Sequence, residues 1–267
     1  MIWALLACAP PVAEGSALRP DLVPPMAVVP EWPAAGTPLR VLDVPAPRNL
    51  HRKTVFLMAG HANGAKDGNT GVHGQIEAEV VHDAVLDLAE RLAALDRFDL
   101  VIGRRGNERP SYPSRIAHAE AVGADAFIEL HTDSRGPAHP WAALPDGDVA
   151  YESVDEHGFA VLYNESTEIG PTRRALAVTA AESLAAAGFP AYSGRDYGSL
   201  YDLEGTPGVF IDRRGLMMLR RPTVPSIIIE THNAKDFEES LRWREEGTSE
   251  AFAAAVADAL TRYLSDP

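Results

Sequence analysis

Thr54-Val55-Phe56-Leu57-Met58-Ala59-Gly60-His61 is a short apolar run that breaks off at a glycine and a histidine. A run of this length, ended by a breaker, reads as a buried strand feeding a loop. Immediately outward, residues 77–95 carry Val80, Val81, Ala84, Val85, Leu88, Leu92 and Leu95 at helical spacing, which predicts a helix. The alternation continues: strand 99–103, helix 112–122, strand 126–130, strand 159–163, helix 173–187 closed by Gly188, strand 226–230 and a final helix over 250–264. Strands alternating with helices predict a single α/β domain, a three-layer α/β/α arrangement whose mixed, mostly parallel sheet carries helices on both faces. Residues 133–148 and 192–215, rich in glycine, proline or charge, read as loops. Residues 216–219 read as an edge strand.

In such sheets ligands gather at the carboxyl ends of strands. The polar residues that end strands here are His61, His131 and Glu230, and Glu77 opens the helix after the first loop. Two imidazoles and a carboxylate suit Zn²⁺ and leave one position open for water. Glu230 is then placed to take a proton from that water. Five glycines between Gly60 and Gly74 let the loop fold tightly enough to return Glu77 towards His61. The bland reading stands beside this one. The chain has nine histidines, most lone histidines are surface or satisfied residues, and an acid ending a strand often caps a helix or pairs with a base. Spacing alone leaves both open.

Composition narrows the classes. The chain has 267 residues, 46 % of them hydrophobic, enough for one sizeable core. Its formal net charge of −14 at pH 7 argues against a nucleic-acid partner, which needs a basic face. One cysteine, Cys8, excludes an internal disulfide and a cysteine-ligated zinc site. Leu5-Leu6-Ala7-Cys8 resembles a bacterial lipoprotein processing box, which implies export to the cell envelope or periplasm and membrane attachment through lipidated Cys8. The apolar run before it is short and no Lys or Arg precedes it, which a start assigned too far downstream explains; an incidental cysteine is the alternative. Residues 9–50, with Pro10-Pro11, Pro20, Pro24-Pro25, Pro30, Pro33, Pro38, Pro45 and Pro47, read as an extended tether or as a segment wrapping the domain. The division expected is therefore 1–8 signal, 9–50 tether and 51–267 catalytic domain.

Gly60-His61-Ala62-Asn63-Gly64-Ala65-Lys66-Asp67-Gly68, followed by Gly74-Gln75-Ile76-Glu77, resembles the opening motif of the zinc-dependent N-acetylmuramoyl-L-alanine amidases of the amidase 3 type. Four further stretches resemble the family in order: Arg104 with Asn107; Ser111 with Arg115-Ile116-Ala117-His118-Ala119; Gly123 to His131, against the family's "ala-asp-leu-phe-ile-ser-ile-his"; and Pro225 to Glu230, against "pro-ala-val-leu-val-glu". The resemblance runs from about Val55 to Leu264. It implies zinc held by His61, Glu77 and His131, Glu230 as catalytic acid/base, and peptidoglycan as substrate, cut between the lactyl group of N-acetylmuramic acid and L-alanine. Glu79 is the rival of Glu77, which alone keeps the family's offset from Gly74.

Three departures line the expected cleft. Ala62-Asn63 stands for Gly-Gly, Thr132-Asp133 for Ala-Asn after the second histidine, and Thr231-His232 for Gly-Phe after the acid. His232 is thus a candidate substrate contact, with a surface histidine as the alternative. Arg195 is a candidate for binding a substrate carboxylate, with a surface salt bridge as the alternative. A carboxypeptidase-like zinc hydrolase and an inactive wall-binding lipoprotein compete with the amidase reading. The 201–213 segment reads as a cover over the cleft or as a plain surface excursion.

Overall fold

A computed structural model of the chain describes residues 39–46, 52–144, 147, 149–153 and 157–265. Cys8, the expected signal and tether residues 9–38 lie outside the described residues. Seven strands form one sheet in the order β2-β1-β3-β9-β6-β8-β7. They are β1 (Lys53–Ala59), β2 (Phe98–Ile102), β3 (Ala126–Asp133), β6 (Ala160–Tyr163), β7 (Tyr201–Leu203), β8 (Val209–Asp212) and β9 (Ser226–Asn233). β2, β1, β3 and β9 run parallel; β6 turns antiparallel to β9, and β7 to β8.

Side-chain alternation along the strands builds the three layers. Val55, Leu57, Ala59, Ile128, Leu130, Ile227 and Ile229 face a large core shared with helices α1 (Glu77–Ala94), α3 (Gly170–Ala186) and α6 (Glu246–Leu264). Phe56, Met58 and Phe127 face the other way, against Ile116 and Ala119 of α2 (Tyr112–Ala121) and Met218 of α4 (Met217–Arg220). The central strands β1, β3 and β9 are thus covered on both faces by mostly apolar side chains.

Four sequence expectations need correction or refinement. Residues 216–219 are not an edge strand: 217–220 form α4. The Asp212 carboxylate accepts the Leu216 and Arg214 amides at 2.7 and 3.0 Å and starts the turn, and unbranched Met and Leu favour helix over strand. The sheet's edges are β2 and β7 instead. The 133–148 stretch is not all loop, since β4 (His139–Ala143) pairs with β5 (Val149–Glu152) in a separate hairpin; Pro140 is tolerated because this two-stranded ladder has free edges. The 192–215 stretch contributes β7 and β8, so most of the supposed cover is built into the sheet. Residues 39–46 follow the wrapping alternative: Leu39 is buried, the Arg40 amide donates to Ala187 O at 2.9 Å, and Arg97 donates to Val44 O at 2.6 Å.

Candidate active site

The carboxyl ends of β1, β3 and β9 lie side by side, with Ala59 opposite Leu130 and His131 opposite Glu230. His61 leaves β1 through Gly60, where any side chain would collide with the His131 ring. The loop then folds back so that Glu77, at the start of α1, meets both histidines. Gly68 makes this return possible at φ +87°, where a Cβ would stand 2.5 Å from Glu77 Oε2. Glu77 Oε1 lies 3.0 Å from His61 Nε2 and 3.0 Å from His131 Nδ1. The three ligand-type atoms fall within 4.8 Å of one another. The donor set fits a zinc ion: two imidazole nitrogens and one carboxylate oxygen lie close enough together to share one metal.

Glu77 is 3 % exposed, whereas its rival Glu79 is exposed on the helix surface. Asn69 holds the Glu77 carboxylate with its amide (3.0 Å) and its side chain (2.8 Å), and the Thr132 amide adds a third donor at 3.1 Å. Burial opposes ionisation, yet the hydrogen bonds of His131 and His61 win and hold Glu77 down to about 2. His131 moves the other way: burial lowers it, but Glu129 and Glu77 raise it well above the usual imidazole range.

His61, Glu77, His131 and Glu230 all open on one cavity of about 760 Å³. Burial first, then the charge of Asp133, pushes the Glu230 carboxyl up to about 8. Asp133 is itself tied to Arg135 at 2.9 Å and accepts the Tyr197 hydroxyl at 2.7 Å. Leu200, Leu216 and Met217 add apolar surface to the same lining. Titratable groups and apolar side chains in one cavity suit a substrate that carries both a scissile polar bond and hydrocarbon surface.

Two of the sequence candidates fall elsewhere. Arg195 is exposed and is not among the cavity residues; Arg214, its guanidinium 4.5 Å over the Tyr201 ring, lines the cavity instead. His232 is not a surface residue. It is 4 % exposed and stacks on Trp243 at 5.3 Å, lining a second cavity of about 430 Å³. Simple alternation would place it beside Glu230. A bulge, in which Glu230 to Asn233 spans the same ladder as His131 to Asp133, turns it away. Asn69, Arg115, Glu129, Asp133 and Arg135 were not assigned roles from the sequence. The charged residues inside the apolar run 126–130 and in a buried helix face were the available signals.

The model of a family described as N-acetylmuramoyl-L-alanine amidase, Amidase_3, matches residues 55–262. The chain belongs to the Amidase_3 family. Solved amidase structures have the same fold. The amidase Ami1 of Mycobacterium smegmatis superposes with a TM-score of 0.64 at 21 % identity, covering 81 % of this chain and 98 % of its own. Ami1 of Mycobacterium abscessus, in its apo form, gives 0.61 at 23 % identity, covering 80 % and 99 %. The catalytic domain of CwlV from Bacillus (Paenibacillus) polymyxa var. colistinus gives 0.59 at 20 %, covering 79 % and 98 %. A search of curated proteins found no match. This Amidase_3 chain therefore shares the whole catalytic-domain fold with these enzymes while keeping about one residue in five.

Proposed function

We propose that this protein hydrolyses the amide bond between the lactyl group of N-acetylmuramic acid and L-alanine of the peptidoglycan stem peptide, with a zinc ion held by His61, Glu77 and His131. The observation that carries the reading is the convergence of these three donors, in an Amidase_3 chain, at the edge of a cavity that also contains Glu230. When bound, zinc supplies Lewis-acid polarisation of water and of the scissile carbonyl. The protein's own side chains do the rest. Glu230 receives a proton from the attacking water and passes it to the departing amine nitrogen of L-alanine. Asn69 and the Thr132 amide keep the Glu77 carboxylate from rotating.

Export and attachment through Cys8 belong to the same proposal, since the substrate lies outside the cytoplasm. So does the division into signal 1–8, tether 9–50 and catalytic domain 51–267, with residues 39–46 of the tether packed against the domain. No helix among the described residues is long and apolar enough to cross a membrane.

The test uses purified peptidoglycan. Hydrolysis should expose a new N-terminal L-alanine on the stem peptide. Release of a C-terminal amino acid would point to a carboxypeptidase instead. Glu230→Gln should keep stoichiometric zinc and lose about 10²–10⁴-fold in rate, and His61→Ala should lose both. Full activity of the Glu230 variant would remove that residue from the chemistry. Wild-type protein that takes up no zinc and leaves the wall intact would point to the wall-binding lipoprotein.

A further inference from the structure

Glu129 is out of place for its strand. It stands in the middle of β3, beside the central strand β9, between Met58 of β1 and Ile228 of β9, and is 1 % exposed. The amidase motif has serine at this position, two residues before the second histidine. An isolated buried carboxylate costs several kcal/mol unless something specific compensates it. The compensation here is directional. Arg115 of α2, also 1 % exposed, reaches Glu129 Oε1 with Nη1 at 3.2 Å. Its remaining donors go to the backbone of the site: Ala59 O at 3.3 Å, Pro110 O at 3.1 Å, and the carbonyl of His61. One arginine therefore fixes both the chain at His61 and the carboxylate at 129.

That carboxylate faces His131. Nδ1 of the ring points at Glu77 Oε1 (3.0 Å), and Nε2 lies 3.8 Å from Glu129 Oε1, an ion-pair separation slightly longer than a formed hydrogen bond. The second oxygen, Glu129 Oε2, is buried with no hydrogen-bond partner, so the carboxylate has unused acceptor capacity beside the ring. The ring is confined from the β1 side as well, because Gly60 leaves room only for the imidazole. An imidazole that binds a metal through one nitrogen is oriented by whatever accepts the proton on the other.

We propose that Glu129, anchored by Arg115, is the positioning residue for His131: it accepts the Nε2 proton and so presents Nδ1 to the zinc ion. This rests on the zinc reading above. It assigns to this chain a carboxylate–histidine–metal relay in place of a serine.

The experiment measures zinc dissociation constants by competition with a chromophoric chelator, for wild type, Glu129→Gln and Glu129→Asp. The visible spectrum of each cobalt-substituted protein and the melting of each metal-free protein are recorded alongside. Glu129→Asp keeps the charge opposite Arg115 but withdraws it from His131 by one methylene. Both variants should bind zinc about 10–100-fold more weakly, with altered cobalt spectra, while metal-free Glu129→Asp melts near wild type. If both variants bind zinc as tightly as wild type with unchanged cobalt spectra, Glu129 serves only to pair Arg115 and the inference is overturned. If Glu129→Gln does not fold, Glu129→Asp decides alone by the same two readouts. A wild type that binds no zinc would overturn the zinc reading itself, a result distinct from unchanged affinity in the variants.

Discussion

Single positions around His61 show how this chain departs from its family and at what cost. Ala62 sits at φ +48°, next to His61 at +56°, in the left-handed region where a Cβ crowds the following carbonyl. The amidase motif has glycine at 62. Replacing Ala62 by glycine removes roughly 1–2 kcal/mol of crowding and gives back roughly 0.4–1 kcal/mol through the freer unfolded chain. Ala62→Gly should therefore stabilise the protein by about 0.5–1 kcal/mol, read as a higher urea midpoint with unchanged slope. A lower midpoint would mean that packing of the buried methyl, 2 % exposed, outweighs the strain. The left-handed backbone at His61 carries strain of its own, which the proposed ligand role would account for. At this scale the sequence was informative for residues that end strands: His61, His131 and Glu230 stand out as polar groups closing apolar runs. It was silent about Asn69, which holds Glu77, because an asparagine in a glycine-rich loop looks like any turn residue. It was silent about Glu129 too, since an acid inside an apolar run does not reveal which neighbour faces it.

At the level of elements, the parallel half of the sheet was legible and the antiparallel half was not. β1, β3 and β9 are dominated by apolar residues buried on both faces, and their helices carry wide apolar stripes. β8 is just as buried, but it is four residues long and flanked by glycines and charges, so pattern could not separate it from a loop. The run at 216–219 was too short for any period to choose between strand and helix. The bulge in β9 is invisible in sequence for the same reason that it matters: it shifts side chains by one position and sends His232 away from Glu230. What holds the bulged end is Glu239 of α5 (Phe237–Arg242), whose two oxygens accept the Asn233 amide (2.9 Å) and the Gly158 amide (2.8 Å). This carboxylate ties the end of β9 to the chain entering β6. Glu239→Leu strands both amides in a buried setting, at roughly 1–3 kcal/mol each. Its denaturant midpoint should drop accordingly. A midpoint within 0.5 kcal/mol or so of wild type would mean that water or another group replaces the carboxylate.

For the molecule as a whole, two linked equilibria set stability, and they can be separated. If zinc occupies the His61–Glu77–His131 site as proposed, its binding to the native state adds about 2.7 kcal/mol at a hundred times its dissociation constant, and a chelator should lower the melting temperature by roughly 5–10 °C. Protons act through His232. The Thr231 hydroxyl donates to His131 O at 3.0 Å, so its single proton is committed, and His232 Nδ1 must be the donor in the 2.9 Å contact with Thr231 Oγ1. That places one proton on Nδ1 of the imidazole stacked on Trp243. Burial, followed by the charge of Arg135, holds its pKa at about 3, against 6.5 in the unfolded chain. Unfolding at any pH between these values takes up a proton. His232's contribution is therefore fully present above pH 6.5 and is lost as pH falls, at about 1.4 kcal/mol per pH unit. His232→Phe keeps the stack on Trp243 and removes the titration. In zinc-free protein, where acid cannot act by releasing metal, wild-type stability should fall more steeply than that of His232→Phe from pH 6.5 to 4.5, the two curves diverging by about one proton's slope. Parallel curves would mean that His232 gains its proton without unfolding, and that the acid sensitivity of this protein resides in other groups.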